Sequence, residues 1–298
     1  MGWFTRLFED VNATGRFGTA PLHAAAQAGD TDRIRDLIAR GAKVDQPSSV
    51  SGGTPLHYAA ESGKVEAAKI LLEHGAYVEA RAGLHRIDMP SGHSDRVGQG
   101  NTPLIFAAAE GHPRMIELLL DHGADINNPN TEGHATPLFL AAQRGQTGAV
   151  ETLLRRGADP NITNDRGALP LHIAAERGNT AVVEALLAGG SPGDAPTAYN
   201  RDTPLHDAAQ NGHDEIVALL LARGANPNSL ARTGLTPLHV ASAAGSLPVV
   251  RRLLDNGADP LNKTEAGDTA EDLAGGNPSI VAELKKRTPA QRARRSPR

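Results

Sequence analysis

The chain has 298 residues, 39% of them hydrophobic, and a formal net charge of −4. It contains no cysteine, which excludes disulfides and thiolate metal sites. No apolar run is long enough for a membrane-spanning helix, and the first residues lack the apolar run of a secretory signal, so we expect a soluble, cytoplasmic protein.

The N-terminal segment carries a stripe of apolar residues at helical spacing. Glu9 and Asp10 lie beside this stripe, and basic residues are few. We predict that residues 1–17 form a helix that covers the exposed end of the fold that follows; a weak amphipathic membrane anchor is the alternative. The stripe consists of Trp3, Phe4, Leu7, Phe8 and Val11.

A short motif then returns along the chain at nearly constant intervals. Its clearest copies read Thr-Pro-Leu-His and lie at 54–57, 203–206 and 236–239. Successive copies are 34, 48, 34, 33, 34, 33 and 33 residues apart. A period near 33 predicts an array of stacked supersecondary units, each of which contacts only its neighbours. The proline position falls at Pro21, Pro55, Pro103, Pro137, Pro170, Pro204, Pro237 and Ala270.

The sequence of one unit, residues 167–190, predicts a pair of short helices. Pro170 suits the first turn of a helix, where its missing N–H is not needed, and Gly178 suits the left-handed end of that helix. A second helix follows with an apolar stripe at i, i+1, i+4 and i+5, and Gly190 ends it. One unit cannot bury this stripe alone, so stacking must supply the core. The stripe is Val182, Val183, Leu186 and Leu187.

These residues resemble the ankyrin repeat. The pattern Gly-x-Thr-Pro-Leu-His-x-Ala-Ala, an aliphatic stripe, and Leu-Leu-x-x-Gly-Ala-Asp-x-Asn is met almost fully at 101–127, 134–161 and 201–228. The resemblance covers about residues 18–286 in eight units. It implies an all-α solenoid of stacked helix–turn–helix units with projecting β-hairpin loops. It also implies that a partner protein binds on the concave side, through loop tips and first helices. The departures are Ile105 and Phe139 in place of His, Leu169 in place of Thr, and Arg201 in place of the turn Gly.

The interval of 48 residues places an insertion at about residues 79–100, in the loop between the second and third units. Insertions in repeat proteins map to loops on one face, often the binding face, but surface loops also tolerate neutral insertions. Both interpretations stay open. Four potential metal ligands in the insertion match no metal-binding template, so we predict no metal site; they are His85, Asp88, His93 and Asp95.

The C-terminus is basic while the rest of the chain is acidic. The last fourteen residues hold seven basic residues and no acidic one, and without these seven the chain has 23 basic against 34 acidic residues. We predict a disordered, solvated tail over 287–298. Nucleic-acid contact or binding to an acidic membrane through this tail is the alternative.

The sequence shows no catalytic or cofactor-binding motif. Ser62-Gly63-Lys64 ends like a phosphate-binding loop, but Tyr58 stands where that loop needs glycine. Five of the twelve histidines occupy the same motif position, which indicates a repeated structural bond and not five active sites. We therefore predict a protein that is not an enzyme and holds no cofactor or metal.

The predicted binding surface comprises the residues just before the glycine that ends each first helix, the position after the histidine, and the loop tips. We expect a monomer that binds a protein partner of unknown identity, and no nucleic acid except through the tail. Tyr58 and Phe106 are the bulky anchors of this surface, although both could instead fill the groove between neighbouring helices. An accessory or regulatory subunit of a catalytic partner is a further alternative. The predicted partner-binding residues are Tyr58, Glu61, Phe106, Glu110, Gln143, Arg144, Asp165, Arg166, Glu176, Arg177, Tyr199, Arg201, Asp207, Gln210, Asn211 and Arg232.

Overall fold

The structure, a computed structural model, describes residues 10–15, 18–82 and 100–287. Most of the predicted N-terminal helix, most of the insertion with its four potential metal ligands, and residues 288–298 of the tail lie outside these residues. Contacts between Cα atoms divide the chain into two compact units, Met1–Asp159 and Pro160–Arg298.

Unit 1 contains four helix pairs in its described part. Each pair consists of a first helix of seven or eight residues and a second helix of nine residues. A glycine turn joins the two helices of each pair. The pairs are α1 (Pro21–Ala28) with α2 (Thr31–Ala39), α3 (Pro55–Glu61) with α4 (Val65–Glu73), α5 (Pro103–Ala109) with α6 (Pro113–Asp121), and α7 (Pro137–Gln143) with α8 (Thr147–Arg155).

Unit 2 repeats the arrangement three times and then departs from it. Ala270 replaces the helix-initiating proline, and the first helix of the last pair shrinks to a single 3₁₀ turn, Asp272–Ala274. The described pairs are α9 (Pro170–Arg177) with α10 (Thr180–Ala188), α11 (Pro204–Gln210) with α12 (Asp214–Ala222), α13 (Pro237–Ala243) with α14 (Leu247–Asp255), and the 3₁₀ turn with α15 (Pro278–Arg287).

Within each unit, first helices pack against first helices and second helices pack against second helices. In unit 1 the first helices α1, α3, α5 and α7 contact one another in order, and so do the second helices α2, α4, α6 and α8; α9 to α15 follow the same rule in unit 2. Each first helix from α1 to α11 buries one leucine directly after the proline and an Ala-Ala pair that lets the next helix approach closely; α13 has Leu238 with Ala241 and Ser242. Leu56, Ala59 and Ala60 are examples, all 0% exposed. The predicted all-α array of helix–turn–helix units is confirmed within each unit.

Hairpin turns connect successive repeats. The turn of the second repeat is closed by a hydrogen bond of 2.8 Å from the N–H of Ser48 to the carbonyl of Gly53, and a bond of the same length joins Thr197 to Asp202 in unit 2. Most of the other turns between repeats are closed by one such bond, and no β-strand occurs among the described residues. The predicted β-hairpin loops are therefore tight turns without a ladder.

The two ends of the insertion lie side by side. The N–H of Ala82 donates to the carbonyl of Asn101 at 3.0 Å. The guanidinium of Arg81 donates to the carbonyls of Gly100 at 2.8 Å and Pro129 at 3.0 Å. The helix pairs before and after the insertion therefore stack as neighbouring repeats, because the residues that flank the insertion are hydrogen-bonded to each other.

The C-terminal helix is held by ion pairs. Lys285 contacts Glu271 at 3.1 Å, and Arg287 contacts Asp255 at 2.6 Å. Arg287, which the sequence assigned to the tail, is the last residue of α15. Part of the basic C-terminus thus binds acidic residues of the same unit.

Candidate interaction surfaces

Buried histidines connect successive repeats at the start of the first helices. The ring Nδ1 of His57 accepts hydrogen bonds from the N–H of Thr54 at 3.0 Å and from its hydroxyl at 2.9 Å. Nε2 donates to the carbonyl of Asn101 in the next repeat at 3.1 Å. A carbonyl only accepts, so the ring is the neutral tautomer with its proton on Nε2. The same bond, at 3.1–3.2 Å, joins His23 to Gly53, His172 to Asp202, His206 to Leu235 and His239 to Asn262.

Burial lowers the pKa of these five rings, to about 4 for His57 and His172. At neutral pH the rings are therefore uncharged and can accept at Nδ1 while they donate at Nε2. The predicted structural role of the recurrent histidine is confirmed by these bonds.

A threonine precedes the proline of five first helices, and its hydroxyl caps the helix, bonds to the histidine ring or, at Thr236, does both. Where the histidine is replaced, the Thr102 hydroxyl accepts from the N–H of Ile105 at 3.4 Å, and that of Thr136 accepts from Phe139 at 3.1 Å. In both helices the threonine side chain therefore caps the first turn. Thr54 forms no such cap, because its hydroxyl donates to the ring of His57 instead.

Tyr58 and Phe106 both pack against a histidine of this series. The Tyr58 ring meets His23 edge to face at 5.3 Å, and the Phe106 ring meets His57 in the same way at 5.7 Å. The Tyr58 hydroxyl also shares a hydrogen bond of 3.1 Å with Ser51. Both aromatic side chains are half-buried. Both rings therefore pack in the groove between neighbouring first helices and stay partly exposed, and their role as partner anchors remains a prediction.

In unit 1 a row of polar side chains lies at the C-terminal ends of the first helices, one repeat apart. Glu61, Glu110 and Arg144 are exposed, and Gln143 is half-buried. Arg144 and Glu110 form an ion pair at 3.7 Å. Burial and the charge of Glu110 raise the pKa of Glu61. The structure thus places four of the predicted binding residues on one face of unit 1.

Unit 2 carries the corresponding row. Glu176, Arg177, Gln210 and Asn211 are exposed at the ends of α9 and α11. We call the two rows the first-helix faces of units 1 and 2. Neither Glu176 nor Arg177 forms an ion pair with a described residue.

Asp207 differs from its counterparts in the other repeats. It stands one residue after the histidine, where the neighbouring first helices of unit 2 carry Ile173 and Val240. Its carboxyl is half-buried and accepts no hydrogen bond from a described residue. Burial, with smaller contributions from the charges of Asp202 and Glu176, raises its pKa from 3.8 to about 8. A carboxyl group in this position destabilises unit 2 unless a donor or a cation approaches it from outside.

The predicted loop-tip residues of unit 2 are all exposed, and two of them line one cleft. Asp165 and Arg166 lie on the fifth repeat, Tyr199 and Arg201 on the sixth, and Arg232 on the seventh. Arg201 and Arg232 line a surface cleft of about 450 Å³. Sequence reasoning missed Leu230, Lys263 and Glu265, which complete this cleft, although each lies in a turn that the 33-residue period identifies. Its other lining residues are Ala231, Gly234 and Thr264.

A larger open cleft of about 810 Å³ crosses the helix–helix turns of unit 1. The ring of His112 covers Gly63 there and donates from Nε2 to the carbonyl of Glu61 at 2.9 Å. In unit 2, His213 makes the same bond to Glu176. These histidines, which the sequence did not single out, connect the turns of neighbouring repeats and therefore serve packing.

No three His, Asp or Glu side chains gather as a metal-binding group in the part of the chain that the structure describes. None of the described helices is long and apolar enough to pass through a membrane.

Comparisons with known proteins agree with this architecture. A family model described as "Ankyrin repeats (3 copies)" matches residues 4–82, 85–164, 138–231, 171–264 and 219–291. A search among curated proteins finds no match to the chain. The overlapping matches cover nearly the whole sequence, and the paired helices show the same period. The chain therefore belongs to the ankyrin repeat family.

Proposed function

We propose that this protein is a non-catalytic scaffold that binds a partner protein through its first-helix faces and loop tips. Ankyrin repeats generally act as protein-interaction modules, and the family is typically non-catalytic, which supports the proposal. The predicted binding residues lie on first helices, at the residue that follows them, or on loop tips.

One observation carries the proposal. Repeats two to six present exposed or half-buried polar and charged side chains at equivalent positions, while the leucine and the Ala-Ala pair of each of these first helices are buried. Among the described residues, a single ion pair, Glu110 with Arg144, joins members of these rows. Most of their donors and acceptors therefore remain available to another molecule.

The backbone beneath these side chains is fixed before binding. Buried alanines hold the first helices close together, and in five of the repeats a histidine bonds to the backbone of the next repeat. A surface on such a frame loses little conformational entropy when a partner docks, so modest contacts suffice for useful affinity. This is the mechanism that we propose for partner capture.

Site-specific photo-crosslinking in the native cells tests the proposal. A photoreactive amino acid at Glu110 or Gln210 should yield a reproducible crosslinked product that mass spectrometry identifies as one protein. Adding Arg144→Glu to the chain with the probe at 110 should reduce that product severalfold, because a charge on the same face is reversed.

Matched controls use the opposite helices. Glu151 on α8 and Glu184 on α10 are exposed and lie on second helices. A probe at either position should give little of the product. Equal crosslinking from first and second helices, or no product from positions 110 and 210, would contradict the proposal.

A further inference from the structure

The cleft at the loop tips of unit 2 is basic at its rim and in its wall. Arg201, Arg232 and Lys263 contribute three cations, against one lining acid, Glu265. None of the three forms an ion pair with a described residue. The pKa of Asp272, outside the lining, is lowered chiefly by hydrogen bonds from Thr269, and the nearby charge of Lys263 adds a smaller effect. Glu265 and Asp272 therefore offset only part of the cationic charge of the cleft.

The three loop tips that form the cleft are bonded edge to edge. The N–H of Arg232 donates to the carbonyl of Asn200 at 2.6 Å, and the N–H of Glu265 donates to that of Thr233 at 3.1 Å. These bonds set the spacing of the tips of the sixth, seventh and eighth repeats. The cations therefore project from a fixed frame.

Large apolar side chains accompany the charges. Leu230 lines the cleft and is 55% exposed, and Tyr199, whose carbonyl accepts from the Arg232 guanidinium at 3.4 Å, is 61% exposed. Tyrosine and arginine are enriched at protein interfaces, and the exposed Leu230 adds apolar surface that a partner can bury. A purely ionic ligand would leave these apolar surfaces uncovered.

We infer that this cleft binds an acidic peptide segment of the partner protein, with carboxylates facing Arg201, Arg232 and Lys263 and an apolar side chain against Leu230. The inference rests on the proposed function and names the chemistry of the partner at one place. A peptide fits better than a nucleic acid, because a phosphate backbone would leave Leu230 uncovered and Glu265 would repel a continuous polyanion.

Selection from a random twelve-residue peptide library displayed on phage, with the full chain as bait, tests the inference. We expect enriched peptides that combine several Asp or Glu residues with Leu, Ile, Phe or Tyr. A synthetic copy of an enriched peptide should bind at least about tenfold more weakly to the chain with Arg232→Glu and Lys263→Glu, since charge reversal replaces attraction by repulsion.

Two further variants separate the cleft from other causes. Arg201→Gly removes a cation and relieves the strain of a left-handed backbone conformation, so weaker peptide binding by this variant cannot come from unfolding. His134→Gly makes the same backbone change at the equivalent position in unit 1 and should leave peptide binding unchanged. The full chain with Arg292, Arg294, Arg295 and Arg298 all changed to Ala should also keep the affinity, which excludes the basic C-terminus as the binding site.

Several results would overturn the inference. The enriched peptides could show no excess of acidic residues, or peptide binding could survive the charge reversal. A twenty-nucleotide single-stranded DNA could also bind the chain more tightly than the peptide does, through Arg232 and Lys263. If the first-helix crosslinks persist while the peptide test fails, only this inference falls; if both fail, the proposed function falls with it.

Discussion

Arg201 and His134 have backbone angles that glycine adopts elsewhere in this protein. Their φ values are 59° and 49°, and no other described non-glycine residue has a positive φ. The equivalent turn position carries a left-handed glycine in the other six repeats: Gly18, Gly52, Gly100, Gly167, Gly234 and Gly267. A left-handed non-glycine residue costs about 1–2 kcal/mol. The unfolded chain gains about 0.5–1 kcal/mol in entropy when glycine is introduced, so relief of strain is the larger effect.

We therefore expect Arg201→Gly and His134→Gly each to raise the free energy of unfolding by about 0.5–1 kcal/mol. Urea denaturation followed by circular dichroism measures this. As the opposite control, Gly234→Ala should be destabilising, because a Cβ there would lie 2.9 Å from the backbone nitrogen of Glu265. A loss of stability in both glycine variants would show that the side chains contribute more than the strain costs.

Asp207 is a third residue at which the fold carries a stability cost. Its pKa rises from 3.8 to about 8 on folding, mainly through burial. Between these two values the folded state binds more protons than the unfolded state, so the free energy of unfolding falls as pH rises through this window. The neighbouring repeats avoid this cost with Ile173 and Val240.

Asp207→Val should raise the free energy of unfolding by at least about 2 kcal/mol at pH 8, after allowance for partial solvent screening. The gain over wild type should be smallest near pH 4, where the unfolded carboxyl is protonated as well. Urea unfolding of both proteins at pH 4, 6 and 8 gives the comparison. A gain that does not change with pH would mean that Asp207 is ionised in the folded protein, contrary to its raised pKa.

The first helices depend on histidines that must remain neutral. The pKa values of His57 and His172 lie near 4 in the folded state, against 6.5 for a free histidine. The unfolded state therefore binds more protons between pH 6.5 and 4, and the stability from these rings is complete above pH 6.5 and is lost as pH falls through that window. For one ring the loss by pH 4 amounts to about 3 kcal/mol.

His172→Phe tests this dependence, because Phe139 occupies the same position in the fourth repeat and is buried there. At pH 7 the variant should be about 1–3 kcal/mol less stable than wild type, since the N–H of Leu169 and the carbonyl of Asp202 lose their partner. At pH 4.5 the difference should shrink or reverse, because the variant has no ring to protonate. Urea titrations at the two pH values decide it, and an equal deficit at both would contradict the assigned pKa.

The periodic features of each element could be predicted from the sequence, whereas contacts between elements could not. Outside the insertion, the proline, the leucine after it and the terminal glycines recur every 33 or 34 residues. Their roles can therefore be inferred from the sequence alone. The hydrogen bonds from Arg81 to the carbonyls of Gly100 and Pro129 have no periodic signal in the sequence, because they join residues on the two sides of the insertion. The cleft partner Lys263 was missed for a related reason: its significance depends on which turns lie edge to edge. The raised pKa of Asp207 likewise follows from burial, which the sequence suggested only by contrast with its aliphatic neighbours.

At the scale of the whole chain, the two units each have their own layered core. Leu71 and Leu119 are fully buried in unit 1, and Leu205 and Leu220 are fully buried in unit 2. In a repeat protein, stability is close to a sum of terms from each repeat and its nearest neighbours. Damage to one layer should therefore weaken the adjacent layers most and fade with distance along the array.

Hydrogen exchange measured by mass spectrometry should show this locality. Leu71→Ala, which removes about 2–5 kcal/mol from the core of unit 1, should speed exchange in α1 to α6 far more than in α11 to α14. Leu220→Ala should give the reverse pattern, and each variant serves as the control for the other. If either substitution accelerated exchange equally in both units, the chain would unfold as a single cooperative body, and a nearest-neighbour account of its stability would be wrong.

Local unfolding would also confine the effect of a damaged repeat to the binding residues that it carries, so Leu71→Ala should impair crosslinking from position 110 more than from position 210.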